Sequence, residues 1–226
     1  MATPTDTSKT KTQITRILLV DDHPIVRERL AEIINRESDL TVCAEAGDRI
    51  GAIEAVQSAK PDLAIIDLAL KNSSGLELIK DLHARWPHLL MLVVSMHDEL
   101  LYAERVLRAG ARGYITKQEA TRNILLAIRR VLSGSVYLNE KTATTVIARL
   151  TAKPKGPGAS MSDLLTDREL QVFELTGNGL NTRDIAERLA IDVKTVETYR
   201  VRIKEKLSLK NSSELLQLAI RWAQDR

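Results

Sequence analysis

Asp21, Asp22, Asp67, Ser95 and Lys117 all stand where a hydrophobic run stops. Residues 17–20 end at the acid pair, 63–66 at Asp67, 89–94 at Ser95 and 113–116 at Lys117. Short apolar runs bounded by turn residues predict buried parallel strands. The carboxyl ends of such strands share one edge of the sheet, where open α/β folds bind their ligands. Three carboxylates brought to one edge repel one another unless a cation joins them. Hard oxygen donors with positions to spare suit Mg²⁺, which keeps several waters and takes one or two carboxylates plus phosphate oxygens. A carboxylate can attack phosphorus and carry the phosphoryl group covalently. A metal and a fixed ammonium then neutralise the phosphoryl oxygens, and a hydroxyl donates to them. The residue types therefore predict an aspartyl-phosphate site with Asp67 as acceptor. Each residue alone has a plainer explanation: an Asp after a strand usually caps a turn, Ser95 would cap a helix, and Lys117 would be a solvated strand end. Their coincidence at strand ends favours the chemistry.

Holding these groups together requires strands and helices that alternate, and residues 16–133 supply them. Pro24 suits a first helical turn, and Ile25, Leu30, Ile33 and Ile34 follow on an apolar side. Residues 49–59 carry Ile50, Ile53 and Val56, and residues 75–85 carry Leu76, Ile79 and Leu82. Further helices are predicted over 100–109, closed by Gly110, and over 121–133. With one more strand at 40–46, the pattern predicts an α/β doubly wound five-stranded parallel sheet.

At 226 residues, 44% hydrophobic and 28% charged, the chain has the length of two domains and the composition of a globular protein. No run reaches the ~18 apolar residues of a membrane span. Residues 1–15 are polar, lack an apolar segment and read as a disordered leader rather than a secretory signal. A cytoplasmic location is expected. The single Cys43 excludes an internal disulfide framework and reads as a packing thiol. The net charge of +3 is local: residues 1–133 carry 18 Lys/Arg against 18 Asp/Glu, and residues 160–226 carry 11 against 11. Bulk charge does not announce nucleic-acid binding, so that reading must rest on pattern.

Residues 134–160 predict a linker. Val146, Ile147 and Leu150 are compatible with one short helix, but Lys-Pro-Lys-Gly-Pro-Gly-Ala-Ser at 153–160 has no apolar surface to bury. Residues 161–226 form an all-α pattern. Thr166 with Glu169 is a capping box that opens a helix ending near Gly177. Asn181 with Asp184 opens the next, Asp192 one reaching Leu207, and Ser212 or Ser213 the last. The middle two, joined by a tight turn, fit a helix-turn-helix. Val196, Tyr199, Ile203 and Leu207 fall on one face of the third helix. Its opposite face shows Lys194, Glu197, Thr198, Val201, Arg202 and Glu205, flanked by Arg200, Lys204 and Lys206. A helix inserted in DNA needs base-reading side chains near its N-terminal half and cations at its edges. Glu197 can accept from cytosine N4, Thr198 and Val201 can touch a thymine methyl, and Lys194, Arg200, Lys204 and Lys206 suit phosphates. The plainer alternative is an amphipathic helix with a solvated face, which Glu197 and Glu205 favour slightly.

Residues 16 to about 133 resemble the receiver domain of two-component response regulators. The matching pieces are Leu-Leu-Val-Asp-Asp-His at 18–23, Ile-Ile-Asp-Leu at 65–68, the Ser95 strand end and Gly-Ala-Arg-Gly-Tyr-Ile-Thr-Lys at 110–117. Residues 164–222 resemble the LuxR-type DNA-binding domain through Leu-Thr-x-Arg-Glu at 165–169, Ile-Ala-x-x-Leu at 185–189, Lys-Thr-Val-Glu-Thr-Tyr at 194–199, Ile203 and Lys206-Leu207. The order of the two resembles the NarL/FixJ family of transcriptional regulators. The resemblance implies a flavodoxin-like receiver and a histidine kinase as donor to Asp67; with Ala69 two residues after Asp67 and no candidate general acid nearby, no turnover of an external substrate is expected. It implies Mg²⁺ on Asp22, Asp67 and the Ala69 backbone carbonyl, with Asp21 acting mostly through water. It makes Ser95 and Tyr114 the switch pair and Lys117 the phosphate-binding lysine. It also implies double-stranded DNA as partner, contacted by Lys194, Thr195, Glu197, Thr198, Tyr199, Arg200, Val201, Arg202 and Lys206, and a homodimer when phosphorylated. Departures are Lys71 and Gln118 where proline is usual, Ala190 where glycine is usual, and Tyr199 where histidine is common. A positive φ at Ala190 would cost on the order of 1 kcal/mol. Three rivals stay open: a phosphorylation-independent regulator whose receiver is only a dimerisation scaffold, a Mg²⁺ phosphohydrolase, and a protein-binding output.

Overall fold

The computed structural model describes residues 14–70, 73–151 and 164–224. Residues 1–13 of the expected leader 1–15, Lys71 and the Pro/Gly-rich stretch 153–160 lie outside the described residues, and Thr15 already opens the first strand. The first unit alternates β1 (Thr15–Val20), α1 (Pro24–Asn35), β2 (Leu40–Ala46), α2 (Arg49–Ala59), β3 (Leu63–Ile66), α3 (Gly75–Arg85), β4 (Leu90–Ser95), α4 (Glu99–Ala109), β5 (Gly113–Thr116) and α5 (Lys117–Leu132). The five strands pair in parallel in the order β2-β1-β3-β4-β5. A two-residue antiparallel pair, Ala69–Leu70 with Ser73–Ser74, lies between β3 and α3.

Successive strand side chains point to opposite faces, and here both faces are covered. Leu18, Ala64, Ile66, Met91 and Val93 pack in one layer with α2, α3 and α4. Ile17, Leu19, Leu63, Ile65, Leu92 and Val94 pack in the other with α1 and α5. That is why the strands read as unbroken apolar runs. Two expected core residues are not core: Ile25 is 80% exposed and Ile50 72%. The buried residues of α1 are Leu30 and Ile34, and those of α2 are Ala52 and Val56, so each stripe begins one turn inside the helix.

After α5 the chain returns to the sheet edge. Tyr137 bridges Gly113, with Tyr114 N donating to Tyr137 O at 2.9 Å and Tyr137 N to Arg112 O at 3.0 Å. The next helix, α6 (Glu140–Thr151), stands where the sequence is compatible with one short helix. Asn139 caps it, its Oδ1 accepting from Thr142 N at 2.8 Å. Asn139 is itself held by Glu99 of α4, donating its backbone N–H to Oε1 at 2.9 Å and its side-chain amide to Oε2. Burial pushes the Glu99 carboxyl up to about 7, with Glu119 and Asp98 adding to the rise and the Asn139 bonds partly offsetting it. A carboxyl raised by folding binds its proton more tightly in the folded state. Its stabilising contribution is present below the ordinary carboxylate range and is lost as pH rises through about 7. Thermal melts between about pH 5 and 7.5 should therefore fall more steeply with pH for the wild type than for Glu99→Gln. Equal slopes would remove Glu99 as the titrating group.

Among the described residues the second unit shows no strand, and its helices are α7 (Asp167–Gly177), α8 (Thr182–Leu189), α9 (Val193–Lys206) and α10 (Ser212–Gln224). Both capping boxes form, Thr166 with Glu169 and Asn181 with Asp184. Asp192 stands at the N-cap of α9 without a side-chain bond to it. The last cap is Asn211, not Ser212 or Ser213: its Oδ1 accepts from Glu214 N at 2.9 Å. Phe173, Ile185, Val196, Ile203, Leu215 and Ala219 form the buried centre.

Candidate functional site

The ends of β1, β3 and β5 bring the acidic and basic groups together. Asp67 and Asp21 are 2% and 4% exposed. Lys117 Nζ bridges them, at 2.7 Å from Asp67 Oδ2 and 2.6 Å from Asp21 Oδ2. Asp67 Oδ1 accepts the Ala69 N–H at 3.2 Å, and Asp21 Oδ1 accepts the His23 N–H at 2.8 Å. Burial raises the Asp67 pKa; Lys117 works against the rise and Asp21 adds to it. Burial pulls the Lys117 ammonium down, but Asp67 and Asp21 outweigh it and the net shift is upward. One ligand atom from each of Asp21, Asp22, His23 and Asp67 lies within 4.8 Å of the others. Asp22 Oδ1 is 2.7 Å from His23 Nδ1, yet that buried oxygen has no hydrogen-bond partner among the described residues. An orphaned buried carboxylate oxygen among other carboxylates suits a hard cation. Asp21, Asp22 and Asp67 could hold a metal.

His23 was not anticipated as part of this cluster; its position directly after the acid pair was the available signal. Ser95 is fully buried and accepts the His97 N–H at 3.4 Å. Tyr114 is fully buried as well, its hydroxyl donating to the His97 carbonyl at 2.8 Å. Tyr114 thus points inward.

In the second unit, α8 and α9 meet at Ala190, whose φ of 50° and ψ of 50° are left-handed. The alanine there carries the strain foreseen for it, on the order of 1 kcal/mol. Val196 and Ile203 are buried and Tyr199 and Leu207 pack beside them. Lys194, Glu197, Thr198, Val201, Arg202 and Lys206 are exposed, and Thr195, Tyr199 and Arg200 are half-buried. Several candidates have partners within the fold. Arg200 donates to Thr182 Oγ1 at 2.8 Å, Thr198 Oγ1 to the Lys194 carbonyl at 2.9 Å, and Lys206 Nζ to Glu169 Oε2 at 2.6 Å. Burial pushes the Glu169 carboxyl up, but Lys206 and Thr166 outweigh it and the net shift is downward.

Among the described residues, the polar contacts between the two units gather at α7 and the turn before it. Asp167 pairs with Arg105 and, at 3.0 Å, with Lys80. Glu174 Oε2 accepts the Tyr102 hydroxyl at 3.1 Å and lies 3.4 Å from His97 Nδ1. Between the units lies a cavity of about 470 Å³, lined by Asp22, Asp67 and Lys117 on one side and by Arg168, Gln171 and Asn178 on the other.

Comparison with known proteins agrees with both halves. Residues 17–129 match the response regulator receiver domain, and residues 163–219 match the LuxR family of bacterial regulatory proteins. The oxygen regulatory protein NreC of Staphylococcus aureus (strain bovine RF122 / ET3-1) is 35% identical over 210 residues, 91% of this chain and 97% of that one. A LuxR-family two-component response regulator from Aurantimonas sp. SI85-9A1 is 31% identical with a TM-score of 0.57, covering 62% of this chain and all of that one. RcsB from Salmonella enterica serovar Typhimurium, at 22% identity, shares the fold with a TM-score of 0.61 over 91% of this chain and 98% of its own. The chain belongs to the NarL/FixJ family of two-component response regulators, with a receiver domain joined to a LuxR-type DNA-binding domain.

Proposed function

We propose that a histidine kinase transfers a phosphoryl group to Asp67 and that this modification controls the binding of double-stranded DNA by α9. The observation that carries the reading is the meeting of Asp21, Asp22 and Asp67 with Lys117 at one sheet edge. The Asp67 carboxylate is the nucleophile. Lys117 supplies a fixed positive charge to a phosphoryl oxygen, and Ser95 and Tyr114 form the hydroxyl pair that responds to it. Asp22, Asp67 and the Ala69 carbonyl, with Asp21 through water, would hold Mg²⁺, which screens the phosphoryl charge. As a response regulator the protein carries the group rather than turning over an external substrate.

The outer face of α9 is exposed while α7 rests on the receiver. Phosphorylation then has no need to uncover α9; it biases how the second domain is held. Released from its receiver, that domain can pair with a second copy and present two α9 helices to half-sites about one helical turn apart. RcsB, of the same fold, has been solved bound to a promoter with the phosphomimetic BeF₃⁻, and as dimers on DNA. No helix among the described residues is long and apolar enough to cross a membrane, and we place the protein in the cytoplasm with its DNA.

The test is DNA binding by the full chain at fixed salt, with and without acetyl phosphate and Mg²⁺. Affinity should rise by about 5- to 150-fold, the usual range for coupling between two sites. Unchanged affinity would favour the receiver as a dimerisation scaffold independent of phosphorylation.

A further inference from the structure

We propose that His97 is the positioning residue through which the second domain senses the phosphoryl group, an inference that rests on Asp67 being the acceptor. Its main chain belongs to one site and its side chain to the other. On the receiver side, its N–H donates to Ser95 Oγ at 3.4 Å and its carbonyl accepts the Tyr114 hydroxyl at 2.8 Å. On the other side, its Nδ1 lies 3.4 Å from Glu174 Oε2 of α7. Its ring packs on Tyr102, centroids 4.9 Å apart, and the Tyr102 hydroxyl donates to the same Glu174 oxygen at 3.1 Å. Ser95, Tyr114 and Tyr102 are 1% exposed or less, so the chain of contacts runs through packed interior. The other clasp, Arg105 and Lys80 on Asp167, springs from the bodies of α4 and α3 rather than from the loop that follows Ser95.

The coupling follows from what one hydroxyl can do. A Ser hydroxyl has one proton and two lone pairs, set by one rotor. When it turns to donate to a phosphoryl oxygen, its lone pairs turn with it. The His97 N–H bond, at 3.4 Å, is already long for an N–H···O bond and does not survive that turn. The loop then relaxes, and the imidazole leaves Glu174. A phosphoryl group on Asp67 and the closed arrangement thus compete for Ser95. Because coupling between binding sites is reciprocal, closure also weakens phosphoryl binding by the same factor.

The experiment uses the full chain with one fluorophore on each domain, and BeF₃⁻ with Mg²⁺ as the phosphoryl analogue. Wild type should be closed and should separate when BeF₃⁻ binds. His97→Ala should be separated from the start and bind BeF₃⁻ at least about 5-fold more tightly. His97→Asn, whose Nδ2 is as many bonds from the backbone as Nδ1, should behave as wild type. An alanine variant that stays closed and opens like wild type overturns the proposal, as does an asparagine variant that behaves like alanine. BeF₃⁻ that binds without changing the separation removes the coupling alone. Failure of wild type to bind it by fluorine NMR removes Asp67 as acceptor, and the coupling with it.

Discussion

Full-length protein carrying Asp67→Asn should take no covalent phosphoryl group from acetyl phosphate and Mg²⁺, where wild type takes one. Asparagine keeps the size of the side chain and can still accept the Ala69 N–H that Asp67 Oδ1 accepts at 3.2 Å. It cannot attack phosphorus, and removing a nucleophile outright costs on the order of 10⁶ in rate. Intact mass reads the result directly: residual label on the variant would move the acceptor elsewhere in the cluster. A second readout separates the nucleophile from the charge. Burial raises the Asp67 pKa, so the ionised, attacking form is lost at a higher pH than for an ordinary Asp. At limiting Mg²⁺, labelling of wild type should rise with pH through that raised value and then level off. The same shift has a stability consequence of fixed sign. The folded state holds the Asp67 proton more tightly than the unfolded chain, so ionisation at neutral pH weighs against folding. Without Mg²⁺, Asp67→Asn should melt above wild type near pH 7, and the gap should close as pH falls below the ordinary carboxylate range.

The residues that made the site legible were those with local signatures. Strand ends announce themselves through the apolar run before them, and caps through Thr166 with Glu169 or Asn181 with Asp184, three residues apart. The buried stripe of α9 follows from helical periodicity alone. What stayed hidden depends on partners far along the chain. Tyr102 and Glu174 are 72 residues apart, and Glu99 and Asn139 are 40 apart; no spacing or period signals either pair. Lys206, read as a phosphate contact, also pairs with Glu169 of α7, 37 residues away, and no local signature announces that partner. Ile25 and Ile50 fail for a related reason: a helical stripe gives the face that is buried but not where along the helix the core begins.

Gly75→Ala should damage the acceptor site more than any other substitution that leaves its chemical groups in place. Gly75 opens α3 and donates its N–H to the Leu68 carbonyl at 3.0 Å. A Cβ at this position would lie 2.0 Å from the Asp67 carbonyl oxygen, 2.7 Å from Leu68 Cα and 2.8 Å from the Asp67 carbonyl carbon. All three are backbone atoms, so no rotamer change relieves the clash. Either α3 retreats or the end of β3 moves, and Asp67 moves with it. Overpacking of this kind costs about 1–3 kcal/mol and occasionally more, a drop in Tm of about 2–12 °C for a chain of this size. A shift of about 1 Å in a reacting group can lower a rate on the order of 10²-fold, so acetyl phosphate labelling should fall further than stability does. Gly51→Ala is the control. It sits in α2, where an added Cβ would meet Asp48 Oδ1 at 3.5 Å and Ala46 Cβ at 3.7 Å, ordinary contact distances. Alanine inside a helix is better than glycine by about 0.5–1 kcal/mol, so this variant should melt slightly higher and label as wild type does. Two glycine-to-alanine changes in one receiver domain should thus move stability in opposite directions. Gly75→Ala labelling at the wild-type rate would mean that the backbone of α3 does not set the position of Asp67.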